Sequence, residues 1–186
     1  MSQEPIKKVG GWLCKSSQPV YDNPWIEVRH EEVITPTGSD GIYGVVHFKG
    51  TAVGVVPLDA EGNTWLVKQS RYTLGEFTWE IPEGGAAPGE APLLCAQREL
   101  LEEAGLYASH WSELMRLHTS NSVTDELAVV FVAEGLTAGT QNLDCTEDIE
   151  LKKLPLQSAV DMVLRGEITD AISVAALLRL ALDRLQ

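Results

Sequence analysis

Three glutamates, Glu99, Glu102 and Glu103, stand at the spacing i, i+3 and i+4. On a helix that turns by about 100° per residue, this spacing places all three carboxylates on one stripe. No lysine is interleaved among them, although a solvated acidic face would normally carry some. Clusters of carboxylate oxygens select hard divalent cations such as Mg²⁺ or Mn²⁺, which often share their ligands with substrate phosphates. The stripe therefore predicts a metal-phosphate site, and a solvated acidic surface is the alternative.

The carboxylates require a helix from about residue 90 to residue 104, with Gly105 at its end. A Pro-Glu-Gly-Gly turn at 82–85 precedes it and ends a predicted strand at 77–81. Apolar residues flank the stripe on both sides, so most of this helix is expected to be buried. They are Leu93, Ala96, Leu100 and Ala104 on one flank and Leu94 and Leu101 on the other. Half-buried glutamates need compensating cations, which again favours a metal site.

The remaining pattern predicts an α+β fold. Strand signals run from Trp25 to about Gln69 and recur at 113–118, 127–132 and 149–154. Pro155 precedes a short helix that stops at Gly166, and Asp170 is a candidate N-cap for a final helix. The apolar face predicted for that last helix consists of Ile172, Ala175, Leu178, Leu182 and Leu185.

Composition excludes several classes of partner. The 186 residues have the length of one domain, and the net charge of −13 disfavours nucleic acid polymers and anionic membranes. No export signal or membrane-spanning run is evident, so a cytoplasmic protein is expected. Cys14, Cys95 and Cys145 form no C-x-x-C pair and are interpreted as small buried hydrophobic residues.

The predicted helix and its lead-in resemble a known sequence signature. Every fixed position of the Nudix box, G-x5-E-x7-R-E-U-x-E-E-x-G-U with U aliphatic, is filled in this chain. The matching residues are Gly84, Glu90, Arg98, Glu99, Leu100, Glu102, Glu103, Gly105 and Leu106. A P-loop is excluded, because Glu90 and Ala91 stand where Lys and Ser or Thr are required.

Segments outside the box resemble the ADP-ribose pyrophosphatase branch of the Nudix hydrolases. Residues 79–84 are similar to its E-L-P-A-G lead-in, and residues 146–149 and 166–171 are similar to its C-terminal segment. Residues 120–126 fall where that branch carries a Ser-Pro-Gly loop ending in Glu. The resemblance implies an α/β/α sandwich with a mixed sheet and a loop–helix–loop box. It also implies a Nudix domain over residues 41–186 and an N-terminal β segment, residues 1–40, that forms a homodimer.

The resemblance implies a metal site of two or three Mg²⁺ ions, with Mn²⁺ as an alternative. Glu99 and Glu103 correspond to the main ligands, Glu102 to a further ligand or water-holder, and the backbone carbonyl of Glu83 to another ligand. The implied structural residues of the box are Gly84, Glu90, Arg98 and Gly105.

The resemblance further implies a catalytic role for loop glutamates. Glu147 corresponds to the residue that positions or deprotonates the attacking water, although Asp144, Asp148 and Glu150 lie close to it in the sequence. Glu126 corresponds to a second loop glutamate that orients the metal or the substrate.

Four residues are implied to bind substrate: Arg71, Trp25, Glu80 and Ser122. Arg71 corresponds to a phosphate-contacting arginine, with a solvated surface charge as the alternative. Trp25 corresponds to an aromatic residue that stacks on adenine, with a sheet-packing tryptophan as the alternative.

The function implied is hydrolysis of the diphosphate bond in ADP-ribose or a related nucleoside diphosphate sugar. The products are a nucleoside monophosphate and a sugar phosphate. Asn121 replaces the proline that often accompanies ADP-ribose specificity, which leaves room for GDP-mannose and other sugars. The alternatives are a Nudix hydrolase of NADH, dinucleoside polyphosphates or dNTPs, and a non-catalytic sensor of nucleotide sugars.

Overall fold

The computed structural model describes residues 6–143 and 148–185. Tertiary contacts divide the chain into two compact units. The first unit comprises Met1–Gly50 and Ser120–Glu126, and the second comprises Thr51–Thr119 and Leu127–Gln186. The sequence-based boundary after residue 40 stays a prediction.

The first unit is built on a four-stranded antiparallel sheet in the order β1-β2-β3-β4. Its strands are β1 (Lys7–Val9), β2 (Trp12–Asp22), β3 (Ile26–Ile34) and β4 (Asp40–Phe48). The segment 120–126 joins the free edge of β4 through a parallel bridge between Val46 and Thr124. Val46 donates its backbone N–H to the carbonyl oxygen of Val123 at 2.9 Å, and Tyr43 donates its hydroxyl to that of Ser122 at 2.6 Å.

The second unit contains two further sheets. One has the order β8-β5-β10-β9, in which β5 and β10 run parallel and the other pairs are antiparallel. The other is antiparallel with the order β11-β6-β7. The strands are β5 (Thr51–Pro57), β6 (Asn63–Arg71), β7 (Glu76–Glu80), β8 (Glu83–Ala86), β9 (Leu106–His118), β10 (Leu127–Ala138) and β11 (Glu150–Pro155).

Three helices pack on the sheets of the second unit, α1 and α3 on the sheet that contains β5 and β10 and α2 on β6 and β11. They are α1 (Pro92–Ala104), α2 (Leu156–Leu164) and α3 (Ala171–Asp183). On β5, Val53 and Val55 belong to the core that α1 closes, whereas Val56 belongs to the core closed by α2 and α3. This alternation follows from the two-residue period of a strand. The predicted α+β class, with a mixed sheet between helices, is confirmed.

The carboxylate helix begins at Pro92 and ends where predicted, because Gly105 takes the left-handed conformation with φ 62°. Its burial was overestimated, since Leu93 and Leu94 are 37% and 59% exposed. The predicted turn at 82–85 is also wrong in part. Residues from Glu83 onward form β8 and pair with β5, because the strand breaks only at Ile81 and Pro82.

The apolar face predicted for α3 is wrong at Leu182 and Leu185, which are 59% and 84% exposed. The helix carries apolar residues on most sides, so periodicity alone does not select the buried face. The residues it buries are Ile172, Ser173, Ala176, Leu177 and Leu180.

The N-cap role of Asp170 is confirmed, since its side chain accepts from the Ser173 N–H at 2.7 Å. Cys14 and Cys95 are buried as predicted, and Cys145 lies outside the described residues. No helix in the described part of the chain has the length and apolar character needed to cross a membrane.

Candidate active site

The α1 carboxylates differ in exposure. Glu99 and Glu103 retain only 6% and 1% of their accessible surface, whereas the Glu102 side chain is 31% exposed. The buried pair lies one helical turn apart on the side of α1 that faces β8 and β5. Burial makes each charge expensive unless a cation or hydrogen-bond donors compensate it.

Arg98 supplies part of this compensation. Its Nη1 donates to Glu99 Oε1 at 2.7 Å and to Glu102 Oε2 at 2.9 Å. Its Nη2 donates to the carbonyl oxygen of Gly85 at 3.3 Å, and its Nε donates to Glu90 at 3.4 Å. Burial alone would lower the pKa of Arg98, but the Glu99, Glu102 and Glu90 carboxylates outweigh it and raise the pKa above its usual value. The guanidinium thus ties the helix to the strand before it.

Gly84 is required by the position of Glu99. A Cβ at residue 84 would stand 2.0 Å from Glu99 Oε1, so the Glu99 carboxylate would have to shift from its observed position. At the neighbouring Gly85 a Cβ would meet no atom of the described residues within 4 Å. The glycine of the box motif therefore makes room for a carboxylate, while its neighbour does not.

The backbone between β7 and β8 is held by three hydrogen bonds. Ile81 N–H donates to Ser173 Oγ at 2.9 Å, and Pro82 C=O accepts from the Val55 N–H at 2.8 Å. Glu83 N–H donates to Glu103 Oε2 at 2.9 Å. The buried Glu103 carboxylate is therefore hydrogen-bonded to Glu83, whose backbone carbonyl is one of the metal ligands that the resemblance implies.

A second cluster surrounds Arg71, at the end of β6. Its Nε donates to both carboxylate oxygens of Glu80 at 3.0 Å, and its Nη2 donates to Glu80 and Glu83. Gln69 and Thr78 also donate to Glu80, which is only 1% exposed. Arg71 Nη1 has no hydrogen-bond partner within residues 6–143 and 148–185.

The Glu83 side chain was not anticipated as a site residue. Burial, and then the charges of Asp170 and Glu80, raise its pKa well above the usual value, and only Arg71 acts in the opposite direction. Its Oε2 is buried without a hydrogen-bond partner in the described part of the chain. A sequence signal did exist, since Glu83 stands where the similar E-L-P-A-G lead-in has alanine.

The donor set fits a cation. Arg71 and Arg98 together contact five carboxylates, those of Glu80, Glu83, Glu90, Glu99 and Glu102, so negative charge is in excess among these seven residues. No three acidic, histidine or cysteine side chains converge into a complete metal site among the residues described. A Mg²⁺ ion, however, usually takes only one or two carboxylates and completes its shell with water and phosphate oxygens.

Three of the implied site residues, Trp25, Ser122 and Glu126, belong to the first unit. Trp25 is 72% exposed at the turn before β3, and Asn23 Oδ1 accepts from its N–H at 2.8 Å. Ser122 and Glu126 lie in the segment beside β4. Glu147 lies outside the described residues.

A cavity of about 230 Å³ opens within the first unit. Trp12 and Tyr43 line it with their rings edge to face at 5.4 Å, and Asn121 lies on its wall. The structure thus brings together Arg71, Glu80, Glu83 and the α1 residues in the second unit, and it places the proposed base-binding residues in the first.

Two family models match the chain. The NUDIX domain matches residues 48–176, and the nucleoside diphosphate sugar hydrolase N-terminal domain matches residues 12–46. An ADP-ribose pyrophosphatase of Mycobacterium tuberculosis is 37% identical over 166 residues, 88% of this chain and 80% of that protein.

Further relatives and a solved structure are also hydrolases or pyrophosphatases of nucleotide compounds. An ADP-ribose pyrophosphatase of Bacillus subtilis is 31% identical over 164 residues, 87% of this chain and 88% of that one. A GDP-mannose pyrophosphatase of Escherichia coli is 31% identical over 149 residues, 75% of this chain and 78% of that one. A crystal structure of an ADP compounds hydrolase superposes with a TM-score of 0.83 at 21% identity, covering 94% of this chain and 95% of that one.

Proposed function

The chain belongs to the NUDIX domain family, and we propose that it hydrolyses the diphosphate bond of ADP-ribose or a related nucleoside diphosphate sugar. Water adds to one phosphorus, the bridging P–O bond breaks, and the products are a nucleoside monophosphate and a sugar phosphate. From ADP-ribose these are AMP and ribose 5-phosphate. The observation that carries the proposal is the pair of buried carboxylates, Glu99 and Glu103, held on α1 beside the 81–83 backbone.

The substrate class is supported by the kinds of relative. Two relatives at 37% and 31% identity are ADP-ribose pyrophosphatases, and others at about the same identity are GDP-mannose pyrophosphatases. The match of residues 12–46 to the nucleoside diphosphate sugar hydrolase N-terminal domain favours this class over dNTPs. Asn121, on the wall of the first unit's cavity, leaves the choice among sugars open.

Enzymes of this family generally use a divalent metal. Here Glu99, Glu103 and Glu102, with the Glu83 carbonyl, would hold two or three Mg²⁺ ions. When bound, the metal neutralises the diphosphate and lowers the pKa of a bound water. Arg98 holds Glu99 and Glu102 in place, because its Nη1 donates to both carboxylates.

Arg71 supplies a fixed positive charge for a phosphate. Glu80 and Glu83 occupy its Nε and Nη2, so Nη1 is the nitrogen that faces the substrate. Glu80 contributes to binding through this arginine, since its own carboxylate is buried. The role of general base is assigned to Glu147, and Glu126 orients the metal or the substrate.

Base recognition and assembly are assigned to the first unit. Trp25, which is 72% exposed, stacks on the nucleobase, and Ser122 contributes a polar contact. Large apolar side chains are exposed on the same unit, as expected of a surface that pairs with a second copy. They include Ile6, Val9, Leu13, Val20, Tyr21 and Ile42. We therefore propose a homodimer formed through this sheet, and a cytoplasmic location stays a prediction.

The decisive experiment is a Mg²⁺-dependent hydrolysis screen with product identification. The panel contains ADP-ribose, GDP-mannose, UDP-glucose, NADH, diadenosine polyphosphates and dNTPs. The expected result is AMP plus ribose 5-phosphate from ADP-ribose, or the equivalent pair from another nucleoside diphosphate sugar. Preferred turnover of dNTPs, NADH or dinucleotides would contradict the substrate class. Tight binding without turnover would indicate a sensor of nucleotide sugars.

A further inference from the structure

Ser173 lies 92 residues from Ile81 in the sequence, yet its Oγ accepts the Ile81 N–H at 2.9 Å. Ser173 is completely buried, with 0% of its surface exposed, and so is Ile81. The acceptor comes from the first turn of α3, and the donor lies in the break between β7 and β8. The last helix is therefore hydrogen-bonded to the segment that leads into the box.

The 81–83 turn, by which we mean the break at Ile81 and Pro82 with the first residue of β8, has few other hydrogen bonds for its backbone groups within the described part of the chain. Pro82 has no N–H, its carbonyl oxygen accepts from Val55, and the Glu83 N–H donates to Glu103. A buried backbone N–H without an acceptor is costly, so removal of the Ser173 hydroxyl would favour a displaced turn. Displacement of the turn would move the Glu83 N–H, which donates to the buried Glu103 carboxylate.

The hydroxyl of Ser173 is held in place by its own helix. Asp170 caps α3 by accepting from the Ser173 N–H at 2.7 Å, which fixes the first turn. The side chains around it are close-packed, because a Cβ at Gly54 would stand 2.9 Å from Ile81 Cδ1 and 3.0 Å from Ile172 Cγ2. This packing leaves the turn little room to shift while the hydrogen bond is intact.

We propose that Ser173 is a positioning residue for the metal site. Its hydroxyl fixes the 81–83 turn, the turn fixes Glu83, and Glu83 fixes the Glu103 carboxylate. The inference rests on the proposed metal-dependent function, and it gives the C-terminal helix a role in metal binding that the box motif does not contain. Ser173 touches neither the substrate nor the reacting atoms in this role.

The experiment measures Mn²⁺ binding to the full-length protein by electron paramagnetic resonance of the free ion, without substrate. Ser173→Ala is expected to weaken Mn²⁺ binding about tenfold, the lower end of the effect of removing groups that orient metal ligands. The Mg²⁺ concentration for half-maximal activity should rise by a similar factor. The kcat at saturating Mg²⁺ and the KM for substrate should each stay within about twofold, because the ligands themselves are intact.

Leu180→Ala is the matched control, because Leu180 is buried in the same helix two turns further along and its truncation also destabilises α3. Thr64→Val is a second control that removes a fully buried hydroxyl from β6. Both controls should bind Mn²⁺ as the wild type does. If Ser173→Ala fails to fold, Ser173→Cys retains a weak acceptor and should give a smaller weakening in the same direction.

Equal Mn²⁺ affinities in the wild type and Ser173→Ala would overturn the proposal, and so would an equal loss in Leu180→Ala, which would reveal a general effect of stability. A wild-type protein that binds no Mn²⁺ would contradict the proposed function itself. The two failures are thus distinguished by the wild-type measurement.

Discussion

The two units differ in their buried carboxylates, since those found among the described residues all lie in the second unit. In the second unit, Glu80, Glu99 and Glu103 are buried, and arginine guanidinium groups or backbone N–H groups contact each of them. In the first unit, ion pairs such as His47–Asp125 are exposed, with 42% and 46% of the two side chains accessible. Exposed pairs contribute about 0–1 kcal/mol, whereas a buried carboxylate that loses its partner costs several times more.

The difference indicates that the two units have different functions. A buried carboxylate lowers the stability of the folded protein, so we attribute the carboxylates at these positions to a chemical role. The exposed aromatic and apolar residues of the first unit, of which Trp25 is an example, are available to a nucleobase or a second copy. Substitutions in the second unit should therefore affect metal binding and kcat, and those in the first unit should affect KM or stability slightly.

The largest effect is expected from Glu103→Gln. The substitution removes one buried negative charge but keeps the shape of the side chain, so kcat should fall at least about a hundredfold, or about 2.7 kcal/mol of barrier. Steady-state hydrolysis with saturating Mg²⁺ measures this, with circular dichroism to check folding. Glu134→Gln, a substitution at a half-exposed side chain of the same unit, is the control and should be neutral. A fall of less than about tenfold would rule out Glu103 as a metal ligand.

Gly84→Ala should have the next largest effect. The new Cβ would clash with Glu99 at 2.0 Å, so the carboxylate must move, and Mg²⁺ affinity should fall about tenfold or more. The overpacked site should also lose about 1–3 kcal/mol of stability. Mg²⁺ titrations of activity and denaturant unfolding measure the two effects.

The neighbouring glycine is the matched control for this substitution. Gly85→Ala places a Cβ more than 4 Å from the atoms of residues 6–143 and 148–185, and should leave Mg²⁺ affinity unchanged. Equal behaviour of the two alanine variants would show that Glu99 is not held where the structure places it.

The same contrast explains what could be predicted from the sequence. The carboxylates, Arg98 and the end of α1 at Gly105 are local features, since helical spacing and a glycine C-cap involve residues within one or two turns. A short motif therefore predicts them correctly. The mixed sheet and flanking helices were also predictable, because they accompany the resemblance that the motif reveals.

Long-range partners were not predictable. The Ser173–Ile81 bond joins residues 92 positions apart, and no periodic pattern encodes it. Arg71 could be recognised as a candidate phosphate-binding residue, but its hydrogen bonds to Glu80 and Glu83 depend on the pairing of β6 with β7. The prediction of the buried face of α3 was wrong at Leu182, because a helix with apolar residues on most sides does not reveal in its sequence which side is buried.

In the first unit, Trp25→Ala should raise the KM for ADP-ribose about five- to tenfold, because base stacking on an aromatic ring contributes about 1–3 kcal/mol. The kcat and the melting temperature should change little, since the side chain is 72% exposed. Trp25→Phe should retain most of the affinity. Thr37→Ala, at an exposed residue between β3 and β4 of this unit, is the control. An unchanged KM in Trp25→Ala would remove the residue from the base site.

The smallest effect is expected from Asp125→Asn, which tests the exposed ion pair with His47. Burial alone would raise the pKa of Asp125, but His47 and the Phe48 N–H outweigh it and lower the pKa below its ordinary value of 3.8. A lowered pKa means that the carboxylate stabilises the folded state fully above pH 3.8 and loses this contribution as the pH falls through the folded-state pKa. Both side chains are more than a third exposed, so solvent screening limits the loss at pH 7 to about 1 kcal/mol or less.

Urea unfolding of the wild type and Asp125→Asn at several pH values between 7 and 2.5 measures this prediction. The difference in unfolding free energy should be small at pH 7 and should shrink as the pH falls below 3.8, since both proteins then carry a neutral side chain. A loss of several kcal/mol at pH 7 would show that the segment 120–126 depends on this charge as strongly as the box helix depends on its own. The two units would then no longer differ in how they use their carboxylates, and the loop that carries Ser122 and Glu126 would have to be counted with the buried site.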